Sequence, residues 1–221
     1  MANLIHDPTY VRKQVLKHLG LLHDVSENDV SIIDAVMPKT IKRVERCWSE
    51  IANKYYQSED TSTLNIDNSN QYTQFLLLLA NELSISHHKK LADKFFALNK
   101  MINSCDIYHE VALPDSFYVN HSIGIIVGRA SLGNRLFLSQ NCTIGGNPGS
   151  PLYPNLGHDN YLMANATIVG DVVTGDRVIF AAGSYAKNIS IPSNSIVFGQ
   201  APNNVIKPLE AESFKKASPF K

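Results

Sequence analysis

The stretches LGNRLFLSQNCTIGG (residues 132–146) and LGHDNYLMANATIVGDVVTGDRVIF (residues 156–180) read as repeats of six. One apolar register runs through Leu132, Leu138 and Ile144, then Leu156, Leu162, Ile168, Thr174 and Phe180. Four places later in each hexad stands a mostly small or aliphatic residue: Leu136, Cys142, Asn160, Ala166, Val172, Val178 and Ser184. Glycine follows the apolar position at Gly133, Gly145, Gly157 and Gly175, and the missing term, position 150, falls in the loop-like GGNPGSPLYPN. A helix cannot hold one face in phase at this period, because six residues turn it by ~600°, about 240° past a full turn. Plain two-residue alternation leaves the turn-prone residue in every hexad unexplained. Short strands joined by tight corners and stacked coil on coil account for both. The reading is a hexapeptide-repeat parallel β-helix.

Upstream the character of the chain changes. Of 12 glycines only Gly20 precedes residue 124. Asp7-Pro8 offers an N-cap and a proline at the first helical position, and Val11, Val15, Leu16 and Leu19 follow at helical spacing. Residues 38–56 open with Pro38 and place Ile41, Val44, Trp48, Ile51 and Ala52 on one stripe. Residues 58–70 are polar and aperiodic and read as a loop. Two further helices are expected over 71–84 and 87–103, the second with Leu91, Phe95, Leu98 and Ile102 on one face. Its start, His87-His88-Lys89-Lys90, reads as a solvated helix end, and Trp48 as core. The fold expected is therefore α+β: a helical domain over 1–105, a β-helix over 106–206 and a tail over 207–221.

Composition narrows the function. Twenty basic and twenty acidic side chains cancel, which removes the bulk electrostatic drive toward nucleic acid or an anionic membrane. The longest apolar run, Phe75 to Ala80, is far short of the ~20 residues of a membrane span. MANLIHDPTY has neither a basic region nor an apolar signal core. Cys47, Cys105 and Cys142 are odd in number and widely spaced, so no disulfide framework is expected. A soluble cytoplasmic protein is the expectation. Three hexads make one three-sided coil, so residues eighteen apart should share an edge. Gly146, Ala164 and Ala182 have that spacing, and a column free of bulky side chains would let an extended ligand lie against the backbone. Small residues suit coil corners equally well.

NHSIGIIVGRASLGNRLFLSQNCTIGG, with the later NATIVGDVVTGDRVIFAAGS and GQAPNNVI, resembles the serine O-acetyltransferases. The likeness covers roughly residues 80–206. It implies a left-handed β-helix, a homotrimer or dimer of trimers, and acetyl-CoA as co-substrate without a metal. The family's D-H-x-x-G motif, whose histidine is the general base, reads here Asn120-His121-Ser122-Ile123-Gly124. Its orienting aspartate, fifteen residues earlier, corresponds to Asp106. The pantetheine channel corresponds to Gly146, Ala164 and Ala182, and Lys187 would reach the CoA phosphates if the final coil bends there. Such a base removes the proton of a weakly acidic hydroxyl as it attacks the thioester, and a carboxylate on the far ring nitrogen fixes the tautomer. Cys142 occupies an inward repeat position and reads as core, not as an acyl-carrying nucleophile.

The departures concern the acceptor. Serine-specific members carry an acidic residue before the histidine and an Arg-His pair before the loop proline. Here those positions hold Asn120 and Leu152-Tyr153, which leave serine's charges poorly paired. Arg129 stands where an acidic residue is usual and would suit an anionic acceptor such as an acidic sugar, but an exposed arginine on a coil face accounts for it equally well. Tyr153 would stack on a sugar ring. The expectation is thus an acetyl-CoA-dependent O-acetyltransferase acting on a saccharide hydroxyl, as in relatives that modify surface polysaccharides. A serine O-acetyltransferase is the alternative small-molecule reading, and a non-catalytic assembly module the alternative of another class. A zinc enzyme of the carbonic-anhydrase-like kind fits poorly, because His109, His121 and His158 do not recur at eighteen residues.

Overall fold

Helical periodicity and capping build the first half of the molecule, a computed structural model that describes residues 3–4, 8–58 and 61–221. Helix α1 spans Pro8–Gly20, α2 Glu27–Ser49, α3 Ser69–Ile85 and α4 Lys89–Asn103. The N-cap expected at Asp7 lies outside the described residues. Helix α2 corrects the expectation of a start at Pro38. Ser26 and Asp29 form a reciprocal capping box, each side chain accepting the other's backbone N–H at 3.1 Å. Pro38 sits inside the helix, where Asp34 and Pro38 are both exposed and water can satisfy the freed carbonyl. The helix ends at Ser49 rather than Tyr56, because Ile51 and Ala52 pair with the chain's last residues. The expected loop also contains a strand, Thr61–Leu64, parallel to Asn3–Leu4 and antiparallel to Gln57–Ser58. On α4, Leu91, Phe95 and Leu98 are buried, whereas Ile102 is exposed.

Every residue of α3 from Gln71 to Leu83 is buried, although several are polar. Their partners explain why. Gln74 Nε2 donates to the Phe117 carbonyl at 3.1 Å and its Oε1 accepts from Val119 N at 3.2 Å, so one side chain pairs with an edge strand. Asn81 Nδ2 donates to the carbonyls of His109 and Val111, and its Oδ1 accepts from Arg43. An unmade bond in such a site costs about 1–3 kcal/mol. The polar stripe of α3 thereby covers the open start of the β-helix.

From Asp106 onward the chain winds as a left-handed parallel β-helix of about five turns. Three parallel stacks hold four, six and five strands, the last strand of the six-stranded sheet, Val205–Pro208, being antiparallel. The hexad register emerges as read: Leu138, Ile144, Leu156, Leu162, Ile168 and Phe180 are all buried. Coil length varies, however. Tyr161 stacks on Ile179 eighteen residues on, but Phe137 stacks on Tyr161 only after 24, because the loop lengthens that coil. One corner carries Arg135, Asp159, Arg177 and Asn194, all at φ near +56°. Arg135 offsets the strain there with two 2.6 Å bonds to Asp159. After the β-helix, helix α5 (Ala211–Ala217) and the final residues lie over the outer face of the six-stranded sheet, with Phe214 stacked on Tyr161 at 5.0 Å.

Three of the four glycines after the apolar position have a steric cause, whereas a Cβ on Gly145 would meet nothing within 4 Å. Gly133, Gly157 and Gly175 stack at one corner, and a Cβ on Gly157 would lie 2.6 Å from the Gly175 carbonyl oxygen. Gly157→Ala is expected to cost about 1–3 kcal/mol by forcing adjacent coils apart. Urea melts against Gly20→Ala, where nothing lies within 4 Å, measure this. Equal midpoints for the two variants would refute it.

Candidate active site at the first corner

His121 lies between the strands Phe117–Val119 and Ile126–Val127, where the first coil turns from the six- to the five-stranded sheet. Backbone bonds fix the stacking on both sides of this corner. Asn120, Ser139 and Met163 donate to Leu138, Leu162 and Phe180 of the next coils. Beyond the turn, Asn141, Asn165 and Gly183 donate back to Ile123, Gln140 and Ala164, each at 2.9 Å. Later coils therefore place one residue at the corner: Gln140, Ala164 or Ala182. The first coil places three, His121, Ser122 and Ile123. Two extra residues make a protruding turn with His121 exposed at its start.

The turn needs special backbone. His121 has φ +54° and Gly124 φ +73°, and a Cβ on Gly124 would fall on the Asn141 side-chain oxygen. The left-handed conformation costs a non-glycine residue about 1–2 kcal/mol, so Gly124 is required and His121 must be held. Asn70 Oδ1 accepts from His121 N at 3.0 Å. The hydroxyls of Ser122 and Thr73 are bonded at 3.1 Å, and Ser122 Oγ donates to the Asn103 carbonyl at 3.3 Å. Asn70 and Thr73 were missed in the sequence, which carries no local signal for a contact 51 residues away.

Ala164 and Ala182 share the column that His121 heads, with Gln140 between, at ~4.8 Å per coil. Gly146 does not, which corrects the expected column. The strand Thr143–Gly145 pairs with Thr167–Val169, so Gly146 stacks toward Gly170, 24 residues on, at the next corner. There it seats the Tyr153 ring, which a Cβ on Gly146 would meet at 2.7 Å. Lys187, exposed and paired with Val169, stands at the end of its strand away from Ala182. It is not beside the column within one chain.

The expected dyad is not formed either. Asp106 pairs with Ile126 in register, but its carboxylate accepts from Lys100 Nζ at 2.6 Å. Among the described residues the His121 imidazole has no hydrogen bond or ion pair. Lys100, in the last turn of α4, is the residue that takes the carboxylate. Asn120 Oδ1 accepts from the Tyr118 hydroxyl at 3.2 Å, and that oxygen accepts from Asn53 Nδ2 at 3.0 Å. The free face of Asn120 is therefore its NH2 group.

Arg129 and Tyr153 do come together, one corner further along the first coil. Arg129 Nη1 donates to the Tyr153 hydroxyl at 3.1 Å, and no carboxylate pairs with Arg129 among the described residues. A cleft of about 410 Å³ beside them is lined by Tyr108, Glu110, Gly128 and Arg129. Cys142 is buried, and burial pushes its thiol up to about 11, so a thiolate is disfavoured there. His109 is buried with Nε2 2.9 Å from Asp93, and the exposed His158 accepts from Asn134 N through Nδ1. Among the described residues no three His, Cys, Asp or Glu side chains group as a metal site. Nor is any described helix long and apolar enough to cross a membrane.

No protein-family model matches the chain. A serine acetyltransferase of Synechococcus elongatus is 25% identical over 112 residues, 49% of this chain and 45% of that protein. Serine acetyltransferase 4 of Arabidopsis thaliana is 30% identical over 97 residues, 42% and 27% of the two chains. The matched region thus spans less than half the length of these relatives. Among solved structures, serine acetyltransferase from Vibrio cholerae superposes with a TM-score of 0.72 at 17% identity, over 95% of this chain and 84% of that one. The Neisseria gonorrhoeae serine acetyltransferase in complex with serine gives 0.66 at 20% identity, over 90% and 88%. At such identities these superpositions establish a common fold.

Proposed function

We propose that this chain, a relative of the serine acetyltransferases, transfers the acetyl group of acetyl-CoA to a hydroxyl with His121 as general base. The observation that carries this reading is one column in which His121 protrudes above Ala164 and Ala182. Acetyl-CoA would lay its pantetheine arm along the two alanines and bring the thioester carbon to the histidine. His121 would take the acceptor's proton as the oxygen attacks and return it to the departing CoA thiolate. No metal enters this chemistry, and Cys142 takes no part in it.

His121 and Arg129 stand at opposite ends of one strand, so a single chain keeps them on different corners. A homotrimer, with the corner of one chain against the next corner of its neighbour, would let both face one acceptor. The exposure of Ile123 (66%) and Ile126 (46%) beside His121 supports burial of this edge in such an assembly. Two trimers pairing, and a cytoplasmic setting, belong to the same proposal.

For the acceptor we put serine first, a reading supported by the likeness to serine acetyltransferases. Arg129, with no carboxylate of its own, supplies beside Tyr153 the cation that Leu152 does not. The saccharide reading comes second, and Asn120 favours it. Its NH2 group repels an ammonium and suits a sugar oxygen. An acceptor screen with acetyl-CoA, following thiol release over L-serine, nucleotide sugars and acidic oligosaccharides, decides between them. Turnover on serine with Arg129→Ala raising its KM at least ~10-fold and sparing kcat fits a remote charge that binds ground and transition states alike. Efficient saccharide acetylation without serine turnover overturns the serine reading. A protein that fails to bind acetyl-CoA in calorimetry is an assembly module instead.

A further inference from the structure

We infer that Asn70, at the start of α3, is a positioning residue for His121, so that the helical domain aims the base as well as covering the β-helix. This rests on the reading of His121 as general base. The protruding turn is two residues longer than the corners stacked beneath it, and its first residue has a backbone conformation that L-residues rarely adopt. Nothing within the β-helix holds the His121 N–H. Its acceptor is the Asn70 side-chain oxygen at 3.0 Å.

Asn70 is free to serve because it is not needed as a cap. Asn68 is the N-cap of α3, and its Oδ1 already accepts from Asn70 N and Gln71 N. Those bonds also fix the first turn from which the Asn70 side chain reaches out. Three residues on, Thr73 bonds to the Ser122 hydroxyl, and Asn99 Nδ2 holds the Thr73 carbonyl at 3.3 Å. Ser122 donates in turn to Asn103 at the end of α4. Two successive residues of the turn are therefore bonded to α3 and one to α4. Unlike Thr73 and Ser122, Asn70 is only half-buried, so its side chain can be changed without opening a core.

The test compares Asn70→Ala, Asn70→Asp and His121→Ala in the full chain. Alanine is a better helix former than asparagine, so helix loss does not confuse the result. Asn70→Ala should lower kcat at least ten-fold with L-serine, or with the saccharide that replaces it in the screen. KM for acetyl-CoA and the melting temperature should stay near wild type. Hydrogen exchange at the His121 amide should quicken at least ten-fold. Asn70→Asp keeps an oxygen acceptor in place and should restore both kcat and exchange to within about three-fold of wild type. An inactive His121→Ala beside a fully active Asn70→Ala overturns the positioning role and leaves the base standing. An active His121→Ala overturns the base and this inference with it. An aspartate variant as poor as alanine also refutes the inference, since the acceptor oxygen would then not be what matters.

Discussion

His121→Ala is expected to lower turnover about 10²–10⁴-fold while acetyl-CoA binds as in the unmodified chain. The separation follows from where a base acts. It removes the acceptor's proton in the transition state and makes no contact that holds the donor, so kcat falls and the calorimetric Kd for acetyl-CoA does not change. The residue is exposed on a protruding turn, and alanine keeps the same Cβ at φ +54°, so the backbone strain stays about as it was. Loss of activity by unfolding is therefore not expected, and an unchanged melting temperature checks that. Asp106→Asn should cost less, because its carboxylate is committed to Lys100 and not to the imidazole. Near-normal turnover in His121→Ala would remove the proposed mechanism altogether.

How far the sequence disclosed this arrangement depended on the range of the interactions involved. The hexads are local: each inward residue and each corner glycine is decided within six residues, and Gly133, Gly157 and Gly175 sit where a side chain cannot. His121 is singled out by the resemblance of N-H-S-I-G to a family motif, and that string is a turn whose glycine has φ +73°. Spacing of eighteen puts Gly146 in the column only where coils are equal in length, and they are not. The loop after it adds six residues to one coil, which moves Gly146 to the next corner. Pro38 reads locally as a helix start, but the Ser26–Asp29 capping box, twelve residues earlier, is what starts the helix. Asp106 shows a third kind of failure. Its spacing from His121 matches the family, yet Lys100 on a different element takes its carboxylate. Spacing places a residue on a coil; what it bonds to depends on elements that spacing does not describe.

Replacing Ala182 with tryptophan is expected to weaken acetyl-CoA binding at least ~100-fold, about 2.8 kcal/mol by the rule of 1.4 kcal/mol per factor of ten. Ala182 is exposed at its corner and stacks on Ala164, so an indole there would occupy the column without entering the core. The inward residues of that coil, Phe180 and Ser184, keep their places, and the melting temperature should hold. Gly146→Ala supplies the contrast. Its new Cβ would push the Tyr153 ring from its seat at the neighbouring corner and leave the column open. It should leave acetyl-CoA affinity near wild type and change KM for the acceptor instead. If Gly146→Ala loses acetyl-CoA as Ala182→Trp does, the donor lies across both corners and the single column is wrong. If Ala182→Trp binds acetyl-CoA as tightly as the unmodified chain, the alanines are only a corner of the β-helix, and His121 has no donor brought to it along this edge.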